Sequence, residues 1–432
     1  MLYKLKHFLH KWGHLERYRL LDELLHNQSM SKSQLLDKQK QAYATIVQYA
    51  YGNTPYYREK YRQLFESPAS KQHPDNVPVL SKDEVVQHRD EMLAQHIDPQ
   101  TLCIGNTGGS TGKPVSFYYD QHKHELMRAG MCRSYMWSGW KPGMKILNFW
   151  GAQQDIEKST SLRLRLQGYI AAEKTIAAYE HSEEKLSQWA RHIGTYQPVL
   201  VQGYASILTA LSRYILNNKL AMPNSILGIY STAEVLYDEQ REVIEQAFGC
   251  KVFNQYGSRE IPNIACECRY GNMHIFTDMV CLESQTVGQQ HRLLVTSLTN
   301  RVMPMIRYDI GDSGTLKEGD CKCGSPFPMM KMELCRSNDL IKTGNGKIIH
   351  PSYFNGLLYG HTEISQYQYI QEALNKITLN IVASRPAEND FIASLGERIH
   401  REVDGNMSLE INYVAEIKRT SSGKHRFVIS TL

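Results

Sequence analysis

Apolar residues recur at helical spacing from the start of the chain. Leu2, Leu5, Phe8, Leu9 and Trp12 interleave with Lys4, Lys6 and Lys11, which predicts a basic amphipathic helix. Such a helix either packs on its own domain or touches an anionic membrane surface. A second helical pattern over Ser33–Tyr51 runs into Gly52-Asn53-Thr54-Pro55, a turn signal. Val115–Tyr119 alternates like a strand, His122–Met136 reads as a helix, and Ile146–Trp150 reads as a buried strand.

The clearest topology lies between Glu183 and Tyr256. Strands at Val199–Gln202, Ile226–Tyr230 and Lys251–Asn254 alternate with helices at Ala205–Asn217 and Asp238–Phe248, the order of a parallel sheet with crossover helices. Ligands of such sheets gather at the carboxyl ends of the strands. Three polar motifs stand there: Gln202-Gly203-Tyr204, Ser231-Thr232-Ala233-Glu234 and Gln255-Tyr256-Gly257-Ser258-Arg259-Glu260. Arg292–Ser297 is a further strand, and Met305–Asp312 ends in a turn that carries two acids.

After about Leu340 the pattern changes to strands at Tyr367–Leu374 and Lys376–Ala383, a helix over Ala387–Val403 and a strand at Leu409–Val414. The expected fold is therefore α/β. A large domain over 1–335, with mixed or parallel sheets and crossover helices, is joined by a polar hinge at 336–339 to a small α+β domain over 340–432.

One stretch breaks every periodicity. Asn106-Thr107-Gly108-Gly109-Ser110-Thr111-Gly112-Lys113-Pro114 is small, hydroxylated and cationic, and reads as a loop that wraps phosphate. Three residues separate Gly108 from Gly112 and Pro114 follows Lys113, so it is not a Walker A loop. Pro114 also keeps the segment from opening a helix.

Length and charge narrow the field. At 432 residues, with 42% hydrophobic positions, the chain has room for two or three packed units. A net charge of +5, spread along the chain, gives no basic stripe for nucleic acid. With no spanning segment or apolar signal core, a cytoplasmic protein is expected. Oligomeric state stays open between monomer and homodimer. Nine cysteines include two Cys-x-Cys pairs, Cys266/Cys268 and Cys321/Cys323, with His274 close by. In a reducing compartment two such loops favour a metal, zinc above all, over disulfides.

In their order these motifs resemble the adenylate-forming superfamily, specifically its phenylacetate–CoA ligase branch and the CapK-like proteins associated with capsular polysaccharide loci. The resemblance runs from about Leu36 to Lys424. It implies ATP-dependent activation of a carboxylic acid as an acyl-adenylate, with release of pyrophosphate and transfer of the acyl group to an acceptor. CoA is the family default, and an amine of a sugar nucleotide or glycan intermediate is the alternative that the CapK resemblance raises. A non-catalytic nucleotide-binding scaffold is the reading from another class.

The resemblance also implies roles. Thr107, Gly108, Gly109, Ser110, Thr111, Gly112 and Lys113 correspond to the phosphate loop, with Thr111 catalytic; Ser231, Ala233 and Glu234 to the adenine side; and Asn254, Gln255, Tyr256, Gly257 and Ser258 to the adenine-facing strand and turn. Glu260 is the expected Mg²⁺ ligand, Asp312 the ribose acceptor, Arg336 a nucleotide contact from the hinge and Lys424 the catalytic lysine of a C-terminal loop. Cys268, His274, Cys321 and Cys323 are the implied structural zinc set. The chain departs from the pattern at Arg259, where related proteins commonly carry Thr. Arg259 either pairs with a nearby acid or contacts phosphate or acyl substrate.

Overall fold

The computed structural model describes residues 2–66, 77–107, 115–150, 168–178, 180–234, 236–287, 290–332, 341–349, 351–358, 361, 363–383, 385, 389–417 and 428–432. The chain forms two compact units, each assembled from separate stretches. The first comprises 1–107, 115–143 and 253–335, and the second 108–114, 144–252 and 336–432.

The first unit opens with three helices, α1 (Leu2–Gly13), α2 (Leu15–Gln28) and α3 (Lys32–Asn53). The α3 start is set by a capping box. Gln34 N donates to the Ser31 hydroxyl and Ser31 N donates to Gln34 Oε1. The helix runs on through Gly52 and Asn53 of the expected turn, and the break falls at Thr54, whose hydroxyl donates to Ala50 O at 2.8 Å while Pro55 starts a short new helix. Two buried ion pairs lock the unit. Arg17 Nε meets Glu125 at 2.7 Å, and Arg133 meets Asp278 at 2.6 Å beneath the Phe276 ring. Each guanidinium is paired where it leaves water, as a buried charge requires.

This unit also holds an antiparallel sheet and the helix Gln121–Met136. The sheet runs Val280–Val287, Gln290–Ser297, Tyr308–Lys317, Met329–Met332, Met273–Ile275, Ala265–Glu267 and Val252–Tyr256. A separate hairpin pairs β1 (Cys103–Asn106) with β2 (Ser116–Tyr119), so the glycine-rich segment connects two strands of one hairpin.

The second unit holds the parallel sheet expected from the alternating pattern, in the order Glu173–Ala177, Ile146–Trp150, Leu200–Tyr204 and Gly228–Thr232. Leu147, Val201 and Ile229 are fully buried and pack with Leu208, Leu211 and Ile244 of the crossover helices. The strands run two residues past the expected ends: Gly203 pairs with both Phe149 and Ser231. Apolar pattern fades before backbone pairing does, because Gln202 and Ser231 are polar residues buried inside the sheet.

The C-terminal residues carry a core of their own, with Tyr367, Tyr369, Ile377, Leu379, Leu395 and Ile399 at its centre. Its four strands lie in the order Ser408–Tyr413, Lys376–Ala383, Ile364–Ala373 and Val428–Ser430, backed by the helix Asn389–Glu402. Within the second unit, Ile348–Ile349 pairs with Glu180–His181. No helix among the described residues is long and apolar enough to cross a membrane.

Candidate functional site

The site residues of the first unit start at the base of the glycine-rich loop. Thr107 N donates to Val115 O and Val115 N donates to Thr107 Oγ1, both at 2.9 Å, which closes the loop at its neck. Thr107 is thus a buried anchor whose hydroxyl oxygen already accepts a main-chain proton. Gly105 matters for the same hairpin: a Cβ there would meet the Phe117 ring at 2.3 Å. Arg259 donates to Asn106 O at 3.4 Å, so the residue that departs from the family pattern touches the strand end leading into the loop. Gly108, Gly109, Ser110, Thr111, Gly112 and Lys113 lie outside the described residues, as do Arg336, the 336–339 hinge and Lys424.

Tyr256 ends its strand and Glu260 follows on a turn that folds back on itself. Ser258 N donates to Ile261 O at 3.0 Å, and Ile261 N donates to the Ser258 hydroxyl at 3.1 Å. A Cβ on Gly257 would come within 3.0 Å of Asn263 N, so this turn is built around glycine. The Glu260 carboxylate is buried, at 4% exposure. Oε1 accepts from the Tyr308 hydroxyl at 3.2 Å, and Oε2 has no hydrogen-bond partner among the described residues. Lys123 Nζ donates to the Glu260 main-chain carbonyl at 2.6 Å. Burial pushes the Lys123 ammonium down to about 8, against the pull of the Glu260 and Asp120 charges.

Asp312 sits in the same unit, half-buried, and its Oδ2 accepts from the Tyr256 hydroxyl at 3.1 Å. The expected turn before it is a bulge inside the strand Tyr308–Lys317: the partner strand advances from Arg292 to Leu294 while this one runs from Ser313 back to Asp309. Gly311, at φ 78°, absorbs the extra residues and re-aims the Asp312 carboxylate. Arg307, earlier in the motif, is a brace. Its guanidinium bonds Glu283 at 2.9 Å and Val77 O at 2.5 Å.

Asn254 and Gln255 belong to the strand itself. Asn254 N donates to Glu267 Oε2 at 2.9 Å, and Gln255 is the cross-strand partner of Cys266. In the second unit, Ser231 is buried with its hydroxyl unpartnered among the described residues, and Ala233 adopts φ 68°. A left-handed alanine is uncommon and marks a backbone held by its surroundings. Glu234 accepts from Ser206 N at 2.7 Å and from the Ser206 hydroxyl at 3.1 Å. It caps the helix Ala205–Asn217, whose own N-cap Tyr204 supplies no side-chain bond. Phe149 packs on Trp189 in the core, and Tyr230 is likewise fully buried.

The cysteine loops converge. One ligand atom from each of Cys268, His274, Cys321 and Cys323 lies within 4.8 Å of every other. Cys268 Sγ and Cys321 Sγ are 3.7 Å apart, and Cys323 Sγ is 3.3 Å from His274 Nε2. Tetrahedral zinc with bonds of about 2.3 Å to sulfur puts its sulfurs about 3.8 Å apart, so the donors fit zinc. His274 Nδ1 lies 2.8 Å from Phe327 O, an arrangement that leaves Nε2 facing the thiols. Cys266 is buried nearby and burial raises its thiol well above the ordinary value.

Lys123 and Tyr308 contact Glu260, although the sequence alone assigned neither a role. Nothing in the helical pattern around Lys123 distinguishes it from a solvated lysine; only the fold brings it to the Glu260 carbonyl.

Known proteins resemble this chain in sequence and in fold. Residues 341–431 match the model of the CapK C-terminal domain. Protein CapK of Staphylococcus aureus is 25% identical over 92% of this chain and 90% of its own length. The phenylacetate–coenzyme A ligase of Thermus thermophilus is 22% identical over 93% of this chain and 98% of its own. Among solved structures, 2-hydroxyisobutyryl-CoA ligase in complex with 2-HIB-AMP and CoA, in its thioesterification state, superposes with a TM-score of 0.59 at 18% identity. That match covers 94% of this chain and 91% of the other, and shows a shared fold.

Proposed function

From its homology with CapK and the phenylacetate–coenzyme A ligases, we propose that this chain is an adenylate-forming ligase. A carboxylate oxygen of the substrate attacks the α-phosphorus of ATP, the bond to pyrophosphate breaks, and an acyl-AMP results. An acceptor nucleophile then attacks the acyl carbon and AMP leaves. The observation that carries this reading is the Glu260 carboxylate, buried with Oε2 unpartnered among the described residues while Tyr308 and Lys123 fix the rest of the residue. A buried carboxylate oxygen without a proton donor suits a hard cation. Mg²⁺ held there would neutralise charge on the phosphate oxygens.

The other roles follow from position. Asp312, aimed by its bulge and held by Tyr256, accepts from the ribose hydroxyls. The 107–113 segment wraps the phosphates from the neck that Thr107 closes, and Arg259 braces that neck through Asn106 O. Arg336 and Lys424 reach the nucleotide and the α-phosphate from the C-terminal part, which rotates about 336–339 between the two half-reactions. Zinc in the Cys268, His274, Cys321 and Cys323 set is structural, because four protein donors leave no open position.

The acceptor is the thiol of CoA. The CapK C-terminal match over 341–431 favours a second reading, an amine of a sugar or glycan intermediate in surface polysaccharide synthesis. Acid-dependent exchange of pyrophosphate into ATP tests the first half-reaction. AMP release with and without CoA then separates the acceptors: a rate unchanged by CoA supports the amine.

A further inference from the structure

Helix α1 presents its polar side to the protein and its apolar side to solvent. On the inner side, the His7 and Tyr18 rings meet edge to face with centroids 5.0 Å apart, and His10 Nδ1 lies 2.8 Å from the Tyr18 hydroxyl. Gly143, at φ 89°, lets the backbone approach: a Cβ there would meet Tyr3 O at 2.3 Å. On the outer side Leu5 is 55% exposed, Phe8 67%, Leu9 41% and Trp12 76%, with Leu15 of α2 at 63% just beyond. At 3.6 residues per turn, Leu5, Phe8, Leu9 and Trp12 fall within an arc of about 100°. A surface helix of a globular protein shows the opposite arrangement, and a contiguous exposed apolar stripe marks an interaction surface.

The charges along the stripe identify what it meets. Lys4 and Lys11 line one edge and Lys6 the other, and α1 contains no acidic residue. We propose that α1 docks the protein on an anionic phospholipid bilayer. The helix would lie in the interface plane, with Leu5, Phe8, Leu9 and Trp12 in the acyl boundary and the exposed Lys4 and Lys11 on headgroup phosphates. A second copy of the chain fits the stripe less well, since pairing two such helices sets lysine against lysine. This inference is independent of the adenylation chemistry.

Sedimentation of the full chain with vesicles tests it. Binding to phosphatidylcholine vesicles containing phosphatidylglycerol is expected, with at least about tenfold weaker binding to phosphatidylcholine alone. The double variant Phe8→Ser/Trp12→Ser should lose binding by about tenfold or more, and Lys4→Gln/Lys11→Gln should lose the anionic preference. All four side chains are exposed, so both variants should melt like the parent protein. The proposal is overturned by absence of sedimentation with the anionic vesicles, by equal binding to both vesicle types, or by unchanged binding of either variant. A solution mass that halves in Phe8→Ser/Trp12→Ser would also overturn it, by assigning the stripe to a second copy.

Discussion

The Tyr256 hydroxyl donates to Asp312 Oδ2 at 3.1 Å, tying the end of one strand to a bulge in another. If Asp312 accepts from the ribose, Asp312→Ala should raise the KM for ATP by about 10–100-fold, the loss of one or two charge-assisted hydrogen bonds. Tyr256→Phe keeps the ring and the carboxylate, so the rise should be about tenfold or less. The ATP dependence of the exchange reaction measures both. Equal effects from the two variants would mean that Asp312 acts only through Tyr256.

Protein purified without added zinc should carry about one equivalent of zinc per chain, read by metal analysis. Cys321→Ser should lose the metal and melt at lower temperature, because structural zinc contributes directly to folding free energy. Cys266→Ser should keep it. Zinc retained in full by Cys321→Ser would remove the quartet.

Stability should rise with pH where Lys123 titrates. Its ammonium is lowered from 10.5 to about 8 in the folded protein. Between those values the unfolded chain holds a proton that the folded chain has released, so raising pH favours folding. From about pH 7.5 to 10.5 the wild-type protein should gain about 3 kcal/mol relative to Lys123→Met, at about 1.4 kcal/mol for each tenfold change in proton affinity. Urea denaturation across that range measures it; parallel profiles for the two proteins would refute the buried ammonium.

Much of this architecture is legible in the chain. The parallel strands announce themselves as apolar runs between helices, and the cysteine–histidine cluster as two Cys-x-Cys loops and a nearby histidine. What stays hidden depends on side chains meeting across long separations. Lys123 and Glu260 are far apart in sequence, and Glu234 caps a helix that begins at Ala205, which no local pattern records. The Asp312 bulge reads as a turn because glycine signals both. The apolar residues of α1 are legible, but their outward direction is not: periodicity gives a stripe without saying which way it faces.

If Lys424 reaches the α-phosphate only during adenylation, its loss separates the half-reactions. Lys424→Ala should slow acyl-AMP formation by about 10²–10³, the size of removing one preorganised electrostatic contact, and leave transfer from a supplied acyl-adenylate nearly unchanged. Lys418→Ala is the control and should match the parent protein in both assays. The C-terminal part cannot rotate away without parting the short pairing of Ile348–Ile349 with Glu180–His181. Equal loss in both half-reactions would contradict the rotation.

The most direct measurement is exchange of labelled pyrophosphate into ATP with a panel of aromatic and short hydroxylated carboxylic acids, in Mg²⁺, for wild type and Glu260→Gln. Exchange should require an acid and fall by about 10²–10³ in Glu260→Gln, a variant that should still fold and bind zinc. ATP bound by the folded, zinc-loaded protein with no exchange for any acid, or exchange unaffected by Glu260→Gln, would contradict it.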